Sequence, residues 1–156
     1  MLKQIENKDK NKLNNLLQLY LHELSEFFKI DFNQETCTYK YDNIDKYFKD
    51  NNHKPYFIVN DNEINGFILL DILENKYEVS EMFVLNNYKN NKVGNKAATE
   101  LFDMYKGNWI VKVVPNSPKA ENFWIKTIKK YTNNNYEITH TGKYNRAELT
   151  FYNGKE

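Results

Sequence analysis

The stretch Glu81–Ala98, EMFVLNNYKNNKVGNKAA, decides how this chain is read. Met82 to Leu85 is an apolar run of strand type, followed by a polar turn of Asn86, Asn87, Tyr88, Lys89, Asn90 and Asn91. From about Lys92 the apolar residues Val93, Ala97, Ala98, Leu101, Phe102 and Tyr105 return at helical spacing. A strand, a basic turn and a helix start in this order make an anion site, because uncapped backbone N–H groups and the helix dipole converge there. Gly94 has no Cβ to keep a ligand away from the backbone. The same glycine serves a tight strand-to-helix connection with no ligand at all, and both readings stand on these residues.

Outward from this point the chain alternates strands and helices. Residues 1–6 suit a short first strand, and Leu13, Leu16, Leu17, Tyr20, Leu24, Phe27 and Phe28 mark an amphipathic helix from about Asp9 to Phe28. Residues 31–42 are irregular, and Ile44, Tyr47 and Phe48 suggest a second, short helix. Tyr56–Val59 and Ile64–Ile72 read as hairpin strands around Asn60-Asp61-Asn62-Glu63, and Tyr77–Leu85 as the strand entering the turn. The next helix is expected to stop at Gly107, and Trp109–Val114 reads as a strand buried on both faces. Ser117 and Pro118 are a good N-cap and N1 pair for a helix bearing Ala120, Phe123, Trp124, Ile128 and Tyr131. Tyr136–Thr141 and Ala147–Tyr152 close the chain as an antiparallel pair. The fold class is α/β, built on a mixed sheet.

At 156 residues the chain is expected to form one domain with a full core, and its 40% apolar and 15% aromatic content argues against disorder. Twenty-two basic residues against 21 acidic ones give a net charge of +1, and Arg146 is the only arginine. Nothing in that balance draws the chain to nucleic acid or to a membrane. Cys37 is the sole cysteine, which excludes an internal disulfide and a CxxC metal site. It is expected to be a quiet, partly buried thiol in a reducing cytoplasm. His22, His53 and His140 have no ligand spacing, so no metal is expected. MLKQIENKDKNKL has no apolar signal core, and no run reaches spanning length. A homodimer is compatible with this composition.

The order strand, (Q/R)-x-x-G-x-(G/A), helix resembles the acyl-CoA pyrophosphate loop of the GNAT superfamily of N-acetyltransferases. The match is Lys89-Asn90-Asn91-Lys92-Val93-Gly94, with Lys89 for Gln or Arg and Lys92 for the first glycine. Asn116, Ala120, Phe123 and Trp124 are similar to the family's N-x-x-A-x-x-x-Y helix, one residue longer and with Trp in place of Tyr. The ordered series FVL…YK…VG…AA…LF…G-W…N…A…FW…YT is similar to a group of small bacterial acetyltransferases over residues 1 to 152.

The resemblance implies a mostly antiparallel central sheet with helices on both faces, and acetyl-CoA as acyl donor to a primary amine. It implies that Phe83, Val84 and Leu85 offer backbone to the pantetheine arm. Lys89, Lys92, Val93, Gly94, Asn95 and Lys96 would then surround the phosphates, with Asn116 and Phe123 beside the cofactor. A primary amine with a pKa near 10.4 costs about 4–5 kcal/mol to deprotonate at pH 7, so a carboxylate base helps. Glu81 lies where the family often places that base. Trp124 cannot protonate the leaving thiolate, since indole N–H is a very poor acid. Tyr131 is assigned that role, with Tyr144 beside it, unless the thiolate leaves unaided. Tyr39 and Tyr41, in the irregular segment with Asp42 and Asp45, are assigned to the acceptor and favour a small cationic amine through cation–π contact. The rival reading is an acyl-CoA-binding regulatory or interaction module without turnover.

Overall fold

In this computed structural model, which describes residues 1–90 and 92–154, the chain opens with β1 (Leu2–Gln4), α1 (Lys10–Leu24), β2 (Phe32–Asn33) and β3 (Thr38–Tyr39). A 3-10 helix at Ile44–Phe48 leads to β4 (His53–Asn60), β5 (Glu63–Ile72) and β6 (Tyr77–Val84). The second half contains α2 (Val93–Met104), β7 (Asn108–Lys112), α3 (Pro118–Tyr131), β8 (Glu137–Thr141) and β9 (Arg146–Tyr152). Seven strands form one sheet in the order β1-β4-β5-β6-β7-β9-β8, and β2 and β3 form a separate small hairpin. All neighbours in the large sheet are antiparallel except β6 and β7.

Local chemistry explains the elements. Asp61 and Asn62 both adopt left-handed backbone (φ 52° and 64°), the two-residue turn whose twist suits a hairpin, and β4 and β5 pair outward from it. Helix α1 is shorter than its apolar period predicts. The Ser25 hydroxyl donates back to the His22 carbonyl at 2.5 Å and competes with continuation toward Phe28. Helix α2 likewise stops before Gly107, because the Asn153 side-chain amide donates to the Phe102 carbonyl at 2.7 Å and Tyr105 is extended. Ser117 caps α3 as expected, its hydroxyl accepting from the Ala120 N–H at 3.2 Å. Residues 31–42 are not wholly irregular, since Phe32–Asn33 and Thr38–Tyr39 pair.

The sheet separates two cores. On one face, Leu13, Leu17, Tyr20, Leu21 and Leu24 of α1 pack with Tyr47 onto Phe57, Phe67, Leu69 and Phe83. On the other, Ala98, Leu101 and Phe102 of α2 and Trp124 and Ile128 of α3 cover Ile68, Leu70, Trp109, Val111, Leu149 and Phe151. At roughly 25 cal/mol per Å² of apolar surface removed from water, each fully buried Leu, Ile or Phe contributes about 1.5–3 kcal/mol to this sandwich.

Candidate active site

The site arises from an irregularity in β6. Leu69 of β5 stands opposite Glu81 and Leu70 opposite Val79, so Ser80 is an extra residue, a β-bulge. A bulge bends its strand and increases the local twist. Pairing between β6 and β7 runs from Tyr77–Trp109 to Val79–Val111. Beyond it, among the described residues, β6 continues from Ser80 to Val84 with strand pairing to β5 alone. The two parallel strands therefore part at the bulge. Val113 and Val114 follow β7 away, the Val113 N–H donating to the Ala147 carbonyl at 2.9 Å.

Glu81 stands at the mouth of this gap. It shares the α1 face with its partner Leu69, and one carboxylate oxygen, Oε2, accepts the hydroxyl of Tyr20. Asp71, two residues beyond Leu69, is buried on the same face. It takes the Tyr47 hydroxyl at 2.6 Å, with the Lys46 ammonium at 3.8 Å. Burial pushes the Glu81 carboxyl up to about 7. The Tyr20 hydrogen bond, Arg146 and Lys46 oppose that rise, and the negative charge of Asp71 adds to it. Tyr41 is half-buried nearby, and its phenol is pushed above its ordinary value by burial and by the charges of Glu81 and Asp71. A carboxyl that titrates near neutrality beside an opening is suited to accept a proton at physiological pH.

At the far end of the gap α2 begins without a side-chain cap. Among the described residues its first intrahelical bond joins the Lys96 N–H to the Lys92 carbonyl at 3.0 Å, and the N–H groups of Val93, Gly94 and Asn95 have no helical partner there. Lys92 itself is left-handed (φ 61°), as is Asn90 (φ 69°). Asn91, the third residue of the loop match, lies outside the described residues. Gly94 is also a packing residue, because a Cβ there would meet Met82 Cε at 3.1 Å and Phe123 Cζ at 3.3 Å.

Other residues singled out in the sequence have different neighbours. The Lys89 ammonium is paired with Glu23 of α1. The Asn95 side chain donates to Thr127 at 2.9 Å and ties α2 to α3, so only its backbone faces the loop. The Asn116 amide donates to the Phe27 carbonyl at 3.2 Å, and its left-handed φ of 63° marks the turn into α3. Leu85 gives its N–H to the Asn65 carbonyl at 2.8 Å. The Tyr39 hydroxyl lies 2.8 Å from His22 Nδ1, and its main chain is held by Gln18 on both sides. Tyr131 is set apart from Glu81. It ends α3 on the opposite core, against Phe102 and Phe151, donating to Asp103 at 2.8 Å and accepting from Asn153 at 3.1 Å. Cys37 is exposed rather than partly buried, because it lies in the tip between β2 and β3 with a left-handed φ of 55°.

Tyr20, Tyr47, Asp71 and Arg146 were not selected from the sequence, although one signal was available. In GFILLDI, Phe67, Leu69 and Asp71 share one face of a strand, and a carboxylate in register with two core residues needs a partner.

The model of the Acetyltransferase (GNAT) family matches residues 16–127, from α1 through most of α3. The chain belongs to the GNAT acetyltransferase family. No curated protein matches it in sequence. Among solved structures, this GNAT domain is similar to a GNAT-family protein from Bacteroides thetaiotaomicron at 14% identity and TM-score 0.67, over 99% of this chain and 88% of the other. It is similar to the PaiA N-acetyltransferase of Thermoplasma acidophilum, solved with coenzyme A, at 12% identity and TM-score 0.65, over 97% and 98% of the two chains. The aminoglycoside 6'-N-acetyltransferase of Enterococcus faecium matches at 12% identity and TM-score 0.58, over 96% and 94%. At these identities the likeness is one of fold. The mixed, mostly antiparallel sheet with helices on both faces agrees with the sequence reading. No helix among the described residues is long and apolar enough to cross a membrane.

Proposed function

We propose that this GNAT domain is an acetyl-CoA-dependent N-acetyltransferase acting on a primary amine by direct attack, with a small cationic amine as acceptor. The observation that carries the reading is Glu81, a carboxyl pushed up to about 7 and pinned at the mouth of the gap between β6 and β7. A base of that strength is half ionised at neutral pH, and taking a proton from an ammonium costs it about 3 kcal/mol less than it would cost a carboxylate at the ordinary 4.5.

The residues present fit acetyl-CoA. The edge of β6 turned away from β5 has no strand partner from Phe83 to Val84 among the described residues, which suits an amide-bearing arm. The open N–H groups of Val93, Gly94 and Asn95 suit a pyrophosphate, with Lys92 and Lys96 exposed beside them as point charges. Each hydrogen bond contributes roughly 1 kcal/mol net and the helix dipole about 0.3–1, so loop and strand edge must act together to reach the about −8 kcal/mol of a micromolar complex. Acetyl-CoA supplies a thioester-activated acetyl group. Glu81 accepts the amine's proton, and Tyr41 with the Asp71–Tyr47 pair gives the acceptor an aromatic and acidic setting. We place the reaction in the cytoplasm, where a lone exposed thiol such as Cys37 stays reduced.

Thiol release from acetyl-CoA across polyamines, amino sugars, amino-acid derivatives and lysine peptides, paired with calorimetric titration of CoA, tests the proposal. Release with small amines is expected. Tight CoA binding without release by any amine would favour the binding-module reading, and absence of CoA binding would overturn both.

A further inference from the structure

Tyr20 lies at the centre of the α1 core, only 5% exposed, yet its hydroxyl is spent on a single group, Glu81 Oε2. Its ring is fixed by an edge-on contact with Phe67 (centroids 5.5 Å apart, 87°) and a tilted one with Phe83 (5.7 Å, 51°). Phe67 and Phe83 are register partners on β5 and β6, so the strand that carries Glu81 and its neighbour also carry the clamp on Tyr20. Among the described residues Glu81 Oε1 has no protein partner, and the buried unpartnered side-chain oxygen found there is Asn65 Oδ1 alone. Glu81 is half-buried, which leaves Oε1 for an incoming group. One oxygen of the carboxylate is held by the core and the other opens outward.

We propose that Tyr20 is a positioning residue for Glu81, holding Oε2 so that Oε1 is the oxygen presented to the incoming amine. The proposal rests on the reading of Glu81 as the base. A free glutamate loses rotamer freedom when it must meet a substrate at one angle, and a rigid donor removes that loss in advance. The phenol keeps its own proton, since burial and then the Glu81 charge push its pKa well above the ordinary value. It gives a hydrogen bond and transfers nothing.

The other charged or titratable groups that bear on Glu81 are Tyr41 of the segment after β3, Lys46 of the 3-10 helix, Asp71 of β5 and Arg146 of β9, with Glu23 of α1 bearing on Tyr20. Lys46 is engaged with Asp71, and Arg146 donates through Nε to the Val113 carbonyl at 2.7 Å. Of these groups Tyr20 is the one hydrogen-bonded to the Glu81 carboxylate.

The test is Tyr20→Phe, which keeps the ring and removes only the hydroxyl. A hydrogen bond to a charged group is worth enough that kcat at pH 7 should fall roughly ten- to a hundredfold, while acetyl-CoA affinity stays within about twofold. The bond favours the ionised carboxylate, so its loss raises the Glu81 pKa and moves the acid limb of the pH–rate profile to higher pH. A readout without turnover accompanies it: the carboxyl ¹³C titration of Glu81, assigned by its disappearance in Glu81→Gln, should shift upward in the same variant. An unmoved titration midpoint, or a kcat loss equal at every pH, overturns the proposal even if Glu81→Gln has lost the limb and so upheld the base. If instead Glu81→Gln keeps the wild-type rate and limb, the base reading falls and the positioning role falls with it. In the Glu81→Gln background, Tyr20→Phe should add less than about twofold, the coupling expected of two groups acting as one.

Discussion

The two faces of this sheet meet the same strands with different chemistry. Under α2 and α3 the core is apolar apart from hydroxyl groups such as that of Thr127, with Trp109, Phe102 and Phe151 in mutual ring contact at 4.8 to 6.2 Å. Under α1 it begins equally apolar with Leu13, Phe57 and Phe67, but toward the bulged part of β6 it admits two carboxylates, Glu81 and Asp71, each taking a tyrosine hydroxyl. Buried carboxylates cost stability unless they are hydrogen-bonded, and a pocket of phenols restores part of that cost while keeping the groups reactive. The contrast divides the labour: one face holds the fold, and the other holds the carboxyl proposed as proton acceptor.

Substitutions on the two faces should separate those roles. The largest effect is expected from Glu81→Gln, with turnover at neutral pH falling by roughly 10²–10⁴ fold while acetyl-CoA still binds. Loss of CoA binding instead would make Glu81 structural. On the opposite face Phe102→Ala should cost about 3–5 kcal/mol of stability, read by denaturant melts, with kcat per folded molecule unchanged below the transition. A catalytic defect there would blur the division of labour.

A smaller effect tests the same contrast through pH. The folded Glu81 carboxyl titrates near 7 against an ordinary value of 4.5, so between those values the folded chain holds a proton that the unfolded chain has lost. Its contribution to stability is present below about 4.5 and is lost as pH rises through about 7. Glu81→Gln should therefore melt higher than wild type at pH 8, by about 3 kcal/mol or about 9 °C, with the gap closing toward pH 4.5. A gap independent of pH would show that Glu81 titrates normally. The smallest change is expected for Tyr131→Phe, on the apolar face. Its bonds to Asp103 and Asn153 are worth about 1 kcal/mol, and acetyl transfer should stay within about twofold of wild type in a steady-state assay.

The apolar face was the legible one. Helical spacing marked Ala98, Leu101, Phe102, Trp124 and Ile128, and all five are buried where that periodicity places them. The strand–turn–helix at Glu81–Ala98 was legible too, because its pattern is local. The polar face depends on contacts distant in sequence, such as Tyr20 with Glu81 and Tyr47 with Asp71, which no period encodes. The pairing of Lys89 was hidden for the same reason: its partner Glu23 is on α1. The acidic groups nearest Tyr39 and Tyr41 in sequence, Asp42 and Asp45, face Lys40 and Lys10 at the surface. Asp71 lay in another strand, inside an apolar run where a charge is easily passed over.

The central claim is that Glu81 acts as the base, and the pH dependence of kcat/KM for a small primary amine, measured on wild type and Glu81→Gln, tests it most directly. An acid limb with its midpoint near 7 is expected in the wild type and no such limb in the variant, whose residual rate follows only the free amine. The same limb in both proteins, at comparable rates, would contradict it.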